Sequence, residues 1–220
     1  TIAPITLISG ELMYRIMCFG DSNTWGFIPV SAERYDRQTR WTQVMASALG
    51  DQYEVVEEGM NGRTTVWNDP VDGLMSGLNY LKPCLISQKP LDKVLVMLGT
   101  NDLKDRFGVT APEIAKSAGR LVRMIQGGDA GPNGSAPKVV LMAPPPIVAG
   151  PDGFGLRQAG LVKSQGFAES FAAMADELGC EFLNTGDYIE SSPLDGIHFS
   201  AEAHRTLGAV MAKFLLESKA

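Results

Sequence analysis

Short apolar runs alternate along the chain with longer stretches of helical periodicity, and each run ends near glycine, asparagine, aspartate or serine. The runs cover residues 14–19, 53–57, 93–98, 138–143 and, more weakly, 181–183. Continuous apolar segments of this length suit strands buried on both faces. Between them, apolar positions recur at helical spacing near 40–49, 71–87, 112–126 and 160–178, with a last helix over about 201–217. Local signals support several boundaries. Thr110 and Glu113 form a capping-box pattern with Pro112 in the first turn. Gly179 is placed to stop one helix, and Ser200 to cap the next. Strands alternating with helices predict an α/β fold of three layers, α/β/α, around a central five-stranded parallel sheet. No repeat, low-complexity tract or interdomain linker interrupts residues 13–220, which read as a single domain. Residues 1–12 are apolar but lack a basic start and a clear cleavage pattern, and are set apart as an N-terminal extension or cloning lead.

The polar residues that close these strands carry the chemistry. Ser22, between Asp21 and Asn23 just after the first strand, sits where a turn lifts a hydroxyl clear of the sheet. The backbone N–H groups of such a turn can face a carbonyl oxygen. A serine needs an imidazole to take its proton, and that imidazole needs a carboxylate to fix its tautomer. The chain has two histidines. His198 follows Asp195 by three residues in a glycine-containing turn, which makes the pair base and orienting acid. His204 lies within the last helix without a comparable acid and reads as a partly exposed helix residue. Asn101, at the end of the third strand, can aim its amide at a developing oxyanion. Gly62, after the second strand, lets the backbone approach a substrate closely enough to donate its N–H. Ser22, Gly62 and Asn101 thus follow separate strands at the edge where such sheets bind ligands.

Ser22 in Gly-Asp-Ser-Asn, Gly62 in Gly-Arg-Thr-Thr, Asn101 in Gly-Thr-Asn-Asp and His198 in Asp-Gly-Ile-His resemble, in order, the four blocks of the SGNH (GDSL-type) hydrolases. Thr24-Trp25-Gly26, Arg40-Trp41 and Glu57-Glu58-Gly59 extend the likeness, most closely to the bacterial arylesterase/acyltransferase branch. The resemblance implies a flavodoxin-like SGNH hydrolase fold with Ser22 as nucleophile, His198 as base and Asp195 as its orienting acid. It implies an oxyanion hole made of the Ser22 and Gly62 N–H groups and the Asn101 side chain. The leucine that follows the serine in the family's name is Asn23 here, so a more polar wall is expected beside the nucleophile. Asn23, Trp25, Phe27 and Met60 are the expected substrate-pocket residues. Trp41 is expected to pack in the core, and Arg63 to pair with a local carboxylate or carbonyl.

Composition narrows the function further. A chain of 220 residues can bury roughly 70% of its unfolded surface without staples. The net charge of −6, with no dense Lys/Arg run, argues against nucleic-acid partners and an anionic membrane surface. The three cysteines have neither pairing nor ligand spacing, and Cys18 and Cys180 read as buried free thiols. No zinc-type or calcium-type motif is present, so neither metal nor cofactor is expected. The resulting reading is a cytoplasmic serine esterase hydrolysing small, short-acyl aryl or alkyl esters through an acyl-serine, with acyl transfer to alcohols as a further outcome. A removed signal peptide and a homo-oligomer stay open. A carbohydrate acetylesterase or thioesterase of the same fold is the first alternative. A non-catalytic flavodoxin-like small-ligand module is the second, disfavoured because no glycine-rich phosphate loop follows the first strand. Gly150 to Gly155 is expected to form a loop shaping the pocket rim.

Overall fold

A computed structural model of the chain describes residues 13–151 and 158–218. The N-terminal lead, and most of the loop expected at the pocket rim, lie outside the described residues. Five strands, β1 (Tyr14–Gly20), β2 (Tyr53–Gly59), β3 (Lys93–Met97), β4 (Lys138–Ala143) and β5 (Glu181–Asn184), form one sheet in the order β2-β1-β3-β4-β5. Every pairing is parallel. The connections are α1 (Ser22–Trp25), α2 (Trp41–Leu49), α3 (Gly77–Gln88), α4 (Ala111–Gln126), α5 (Gln158–Ser164) and α6 (Phe167–Leu178), with α7 (Ala201–Glu217) closing the fold.

The period-2 geometry of the strands splits their side chains between two cores. Ile16 and Cys18 of β1 pack with Leu95, Val140 and Trp41 beneath α2 and α7. Met17 and Phe19 pack with Val94, Leu141, Ile114 and Phe171 beneath α3, α4 and α6. Strands buried on both faces explain the continuous apolar runs. The three-layer α/β/α fold read from the sequence is the fold observed. From β1 the chain passes outward to β2 and then returns across the sheet to β3. The crevice above the carboxyl ends of β1 and β3 is therefore the topological switch point, where open α/β sheets bind ligands.

Four expectations need correction. The helix expected over 71–87 begins only at Gly77, where the Ser76 hydroxyl accepts from Asn79 N–H at 3.4 Å. The residues before it form a tight turn closed by reciprocal Asp69 and Gly73 hydrogen bonds of 2.8 Å. The helix expected over 160–178 is two helices. The first ends at Ser164, whose buried hydroxyl accepts from Ile147 N–H at 3.2 Å and donates to Leu161 O at 2.9 Å. Cys180 is only half-buried, whereas Cys18 and Cys84 are buried, and all three are free thiols.

His204 is the largest departure. It is 0% exposed, not partly exposed. It belongs to the buried stripe of α7 with Ala203, Leu207, Gly208 and Met211, a spacing that could have flagged it. Its Nδ1 accepts from Trp41 N–H at 3.3 Å, and its ring meets Tyr35 and Phe199 edge-on at 5.1 and 5.5 Å. Burial, aided by the charges of Arg40 and His198, pushes its pKa down from 6.5 to about 3. The unfolded chain therefore binds the proton that the folded chain refuses. The stability tied to a neutral His204 is fully present above pH 6.5 and is lost as pH falls toward 3, at up to about 1.4 kcal/mol per pH unit. His204→Leu should remove this slope. Urea unfolding of both proteins between pH 7.5 and 4.5 checks it: the wild-type midpoint should fall relative to the variant, and parallel curves would contradict a buried neutral imidazole.

Candidate active site

The turn that carries Ser22 is built by close backbone contact. β1 ends in Gly20, where a Cβ would overlap the Thr24 side chain and approach Met97 O at 2.9 Å. A Cβ on Gly59 of β2 would overlap the Trp25 backbone. The single turn of α1 thus rests directly on the strand ends. Asp21 caps it, accepting from Asn23 N–H at 2.9 Å through its side chain, while its carbonyl accepts from Thr24 and Trp25. Gly26, at φ 95°, ends it. Ser22 is the first residue of this turn, so its N–H has no intrahelical acceptor.

The segment before α7 brings His198 to it. His198 Nε2 lies 2.9 Å from Ser22 Oγ, and its Nδ1 lies 2.7 Å from Asp195 Oδ2. The other Asp195 oxygen accepts from Ile197 and His198 N–H at 3.0 and 2.9 Å. This tight turn passes through Gly196 at φ 81°. Burial works against ionisation of Asp195, but these hydrogen bonds outweigh it and hold the carboxyl below its ordinary range. An ionised Asp195 keeps the proton on Nδ1 and leaves Nε2 to accept from the serine hydroxyl.

Gly62 and Asn101 complete the constellation. Gly62 has φ 79°, a conformation that favours glycine. Asn101 Nδ2 donates to Arg63 O at 3.1 Å, which fixes the amide and leaves its second N–H to point elsewhere. Asp102 is buried and accepts from Thr65 N–H at 3.0 Å and from the Thr65 hydroxyl. Its pKa is raised to about 7 by burial, with the Asp21 carboxyl adding to the rise. Asp21 is itself raised to about 6 by burial, opposed by the Asn23 N–H and the charges of His198 and Arg63. Arg63 pairs with carbonyls, as expected. Its Nη1 donates to Gly20 O at 2.9 Å and to Glu58 O, and its guanidinium lies 4.3 Å from the centre of the Phe19 ring. Trp41 is in the core, 1% exposed.

Ser22, Gly62, Asn101 and His198 line one cavity of about 100 Å³. Phe27 and Ile197 supply its apolar wall; Asn61, Asp72 and Lys104 supply a polar one. Lys104 Nζ is held at 3.1 Å by Asp69 and 2.9 Å by Asp72, and Arg106 binds the same two carboxylates at 2.6 and 2.9 Å. Sequence reasoning missed Asn61, Asp72, Lys104 and Ile197. Lys104 directly follows the Asn101 turn in the sequence, whereas Asp72 lies in a turn whose apolar spacing mimics a helix. Of the four expected pocket residues, only Phe27 lines the cavity. Trp25 lies 6.5 Å behind Phe27 and 5.2 Å beneath the Arg34 guanidinium. Met60 is held at the rim of β2 by its N–H bond to Gly20 O at 3.1 Å.

Asn23 is not a polar wall at all. It is 2% exposed, accepts from Phe199 N–H at 3.1 Å and donates to Ile197 O at 3.4 Å. Its amide clamps the backbone on both sides of His198. Among the described residues no group of three or more His, Cys, Asp or Glu side chains is arranged to hold a metal ion.

A serine, histidine and aspartate in hydrogen-bonded series beside Gly62 and Asn101, at the switch point of a parallel sheet, form an arrangement of serine-hydrolase type. The chain belongs to the GDSL-like lipase/acylhydrolase family, whose model matches residues 18–206. It is a carboxylic ester hydrolase, which sets aside the non-catalytic ligand module. Among solved structures, an aryl esterase from M. smegmatis is 38% identical with a TM-score of 0.88, the match covering 93% of this chain and 99% of that one. A carbohydrate acetylesterase from Sinorhizobium meliloti is 42% identical with the same TM-score and the same coverage. A carbohydrate acetylesterase family member, also from Sinorhizobium meliloti, is 32% identical at 0.87, covering 93% and 98%. No curated protein matches the chain.

The clamp yields a test. Asn23→Leu restores the family's leucine but leaves a buried N–H and carbonyl unpaired beside His198. It should lower stability by about 1–3 kcal/mol, read as a lower urea midpoint with unchanged slope. An unchanged midpoint would show that the amide does not hold this segment.

Proposed function

We propose that the protein cleaves small esters with a short acyl group, of aryl or alkyl alcohols, through an acyl-Ser22 intermediate. Ser22 Oγ attacks the ester carbonyl as His198 Nε2 takes its proton. The carbonyl electron pair moves to oxygen, and the oxyanion is held by the Ser22 and Gly62 N–H groups and by Asn101. His198 returns the proton to the departing alkoxide, releasing the alcohol and leaving the acyl group on Ser22. Water, activated by the same imidazole, then attacks the acyl-enzyme and frees the acid.

The observation that carries this reading is the convergence of the hydrogen-bonded Ser22–His198–Asp195 series with Gly62 and Asn101 on a single small cavity. Its volume, about 100 Å³, is well below the roughly 300–1,000 Å³ of sites that enclose drug-sized ligands. An acetyl or propionyl group suits it. The Phe27 and Ile197 wall also favours an organic alcohol as second acyl acceptor, since apolar burial contributes about 25 cal/mol per Å². The names of the similar structures support aryl and sugar acetates as the first substrates to try. A small ester is the only partner proposed; the net charge of −6 disfavours nucleic acid. No helix among the described residues is long and apolar enough to cross a membrane. Three free thiols accord with a reducing, cytoplasmic setting.

Turnover of 4-nitrophenyl acetate against the octanoate, and against an acetylated sugar, tests the substrate reading. kcat/KM should fall steeply with acyl length, and equal rates for acetate and octanoate would overturn it. Ser22→Ala should retain less than about a hundredth of wild-type kcat. Asn101→Ala should lose roughly 10²–10³ in kcat; a change confined to KM would assign that amide to substrate binding instead.

A further inference from the structure

The ring of Phe27 lies against the imidazole of His198, with centroids 4.0 Å apart and planes inclined by 26°. Asp195 and Ser22 engage that imidazole through its two nitrogens, in the plane of the ring. Phe27 covers a face, which neither of them uses. Its place is set by the nucleophile turn itself: Ser22 O accepts from Phe27 N–H at 3.0 Å and from Gly26 N–H at 2.9 Å. A bridge to Arg34 secures its other side. The aromatic face and the nucleophile therefore move as one unit.

We propose that Phe27 is a positioning residue for His198, restraining the imidazole through its face and stabilising it as it becomes charged. The proposal rests on the reading of His198 as the base. When Oγ bonds to the carbonyl carbon, the serine proton passes to Nε2 and the neutral imidazole becomes an imidazolium. An aromatic face carries negative quadrupolar charge and attracts a cation within about 6 Å of its centre, more strongly where water is excluded. The neutral imidazole gains little from that charge, so the interaction grows toward the transition state and acts on kcat more than on KM. Among the titratable groups around the imidazole are Asp195 on its own turn, Asp21 at the cap of α1 and His204 on α7, with Asp72 and Lys104 on the wall of the same cavity. Substitution at position 27 leaves all of these in place.

The test is the pH profile of kcat and kcat/KM for wild type, Phe27→Leu, Phe27→Tyr and Phe27→4-cyanophenylalanine, with His198→Ala as reference. Phe27→Leu should lower kcat roughly tenfold with KM within about twofold, and should move the acidic limb of kcat/KM to lower pH. Phe27→Tyr should restore both. The cyano variant, which keeps the ring and withdraws its electron density, should fall between them, and it decides the matter even if the leucine variant folds poorly. A raised KM with an unmoved limb, or a cyano variant equal to wild type, would reduce Phe27 to a pocket wall. Retained turnover in His198→Ala would instead overturn the base assignment, a distinct outcome.

Discussion

The guanidinium of Arg63 is the tie on which the active-site geometry depends. It is 2% exposed, reaches back to the carbonyl of Gly20 at the end of β1, and stacks on Phe19 of the same strand. The loop that carries Gly62 is thereby strapped to the loop that carries Ser22. The Arg63 carbonyl in turn receives Asn101, and Thr65, two residues on, is held by Asp102. Asn23 extends the chain of contacts to the segment of His198. Loops after separate strands have no intrinsic reason to meet. Buried hydrogen bonds enforce it, because each leaves a costly unpaired group if the loops part.

The same burial gives the site opposing responses to pH. Asp21 and Asp102 have folded pKa values raised to about 6 and 7. Their favourable contribution is fully present below about pH 4 and is lost as pH rises through those values. His204 acts in the opposite sense, losing its contribution as pH falls from 6.5 toward 3. The contribution of the two carboxyls is thus lost by about pH 7 and that of His204 toward pH 3, so the two act in opposite directions between those limits. The Asp195 carboxyl is held below its ordinary range by its hydrogen bonds to His198 and Ile197.

Much of the site was legible because its rules are local. Ser22, Gly62 and Asn101 each sit where an apolar run ends, and a parallel sheet collects strand ends on one edge. Asp195 and His198 are three residues apart, close enough for one turn to join them. What escaped the sequence depends on partners distant in the chain. Asn23 looks like a polar wall until its bond to Ile197, 174 residues on, is known. His204 looks exposed when only its helix is considered, and is buried because α2 packs on α7 so closely that a Cβ at Gly208 would sit 2.6 Å from Val44. Asp72 looks helical because apolar spacing continues through 71–76, but Asp69 accepts from Val71 and Asp72 N–H and closes a turn there. Side-chain competition for backbone donors is hard to read from periodicity.

The central claim is that Ser22 becomes the acylated group because His198 and the two oxyanion donors converge on it. Peptide mass spectrometry after treatment with an organophosphonate ester tests this most directly, since the phosphonyl group mimics the tetrahedral intermediate and stays on the nucleophile. A single adduct on the peptide containing Ser22, formed in step with loss of esterase activity and strongly slowed in His198→Ala, is the predicted result. An adduct on another residue, or full esterase inhibition with Ser22 unmodified, would contradict it.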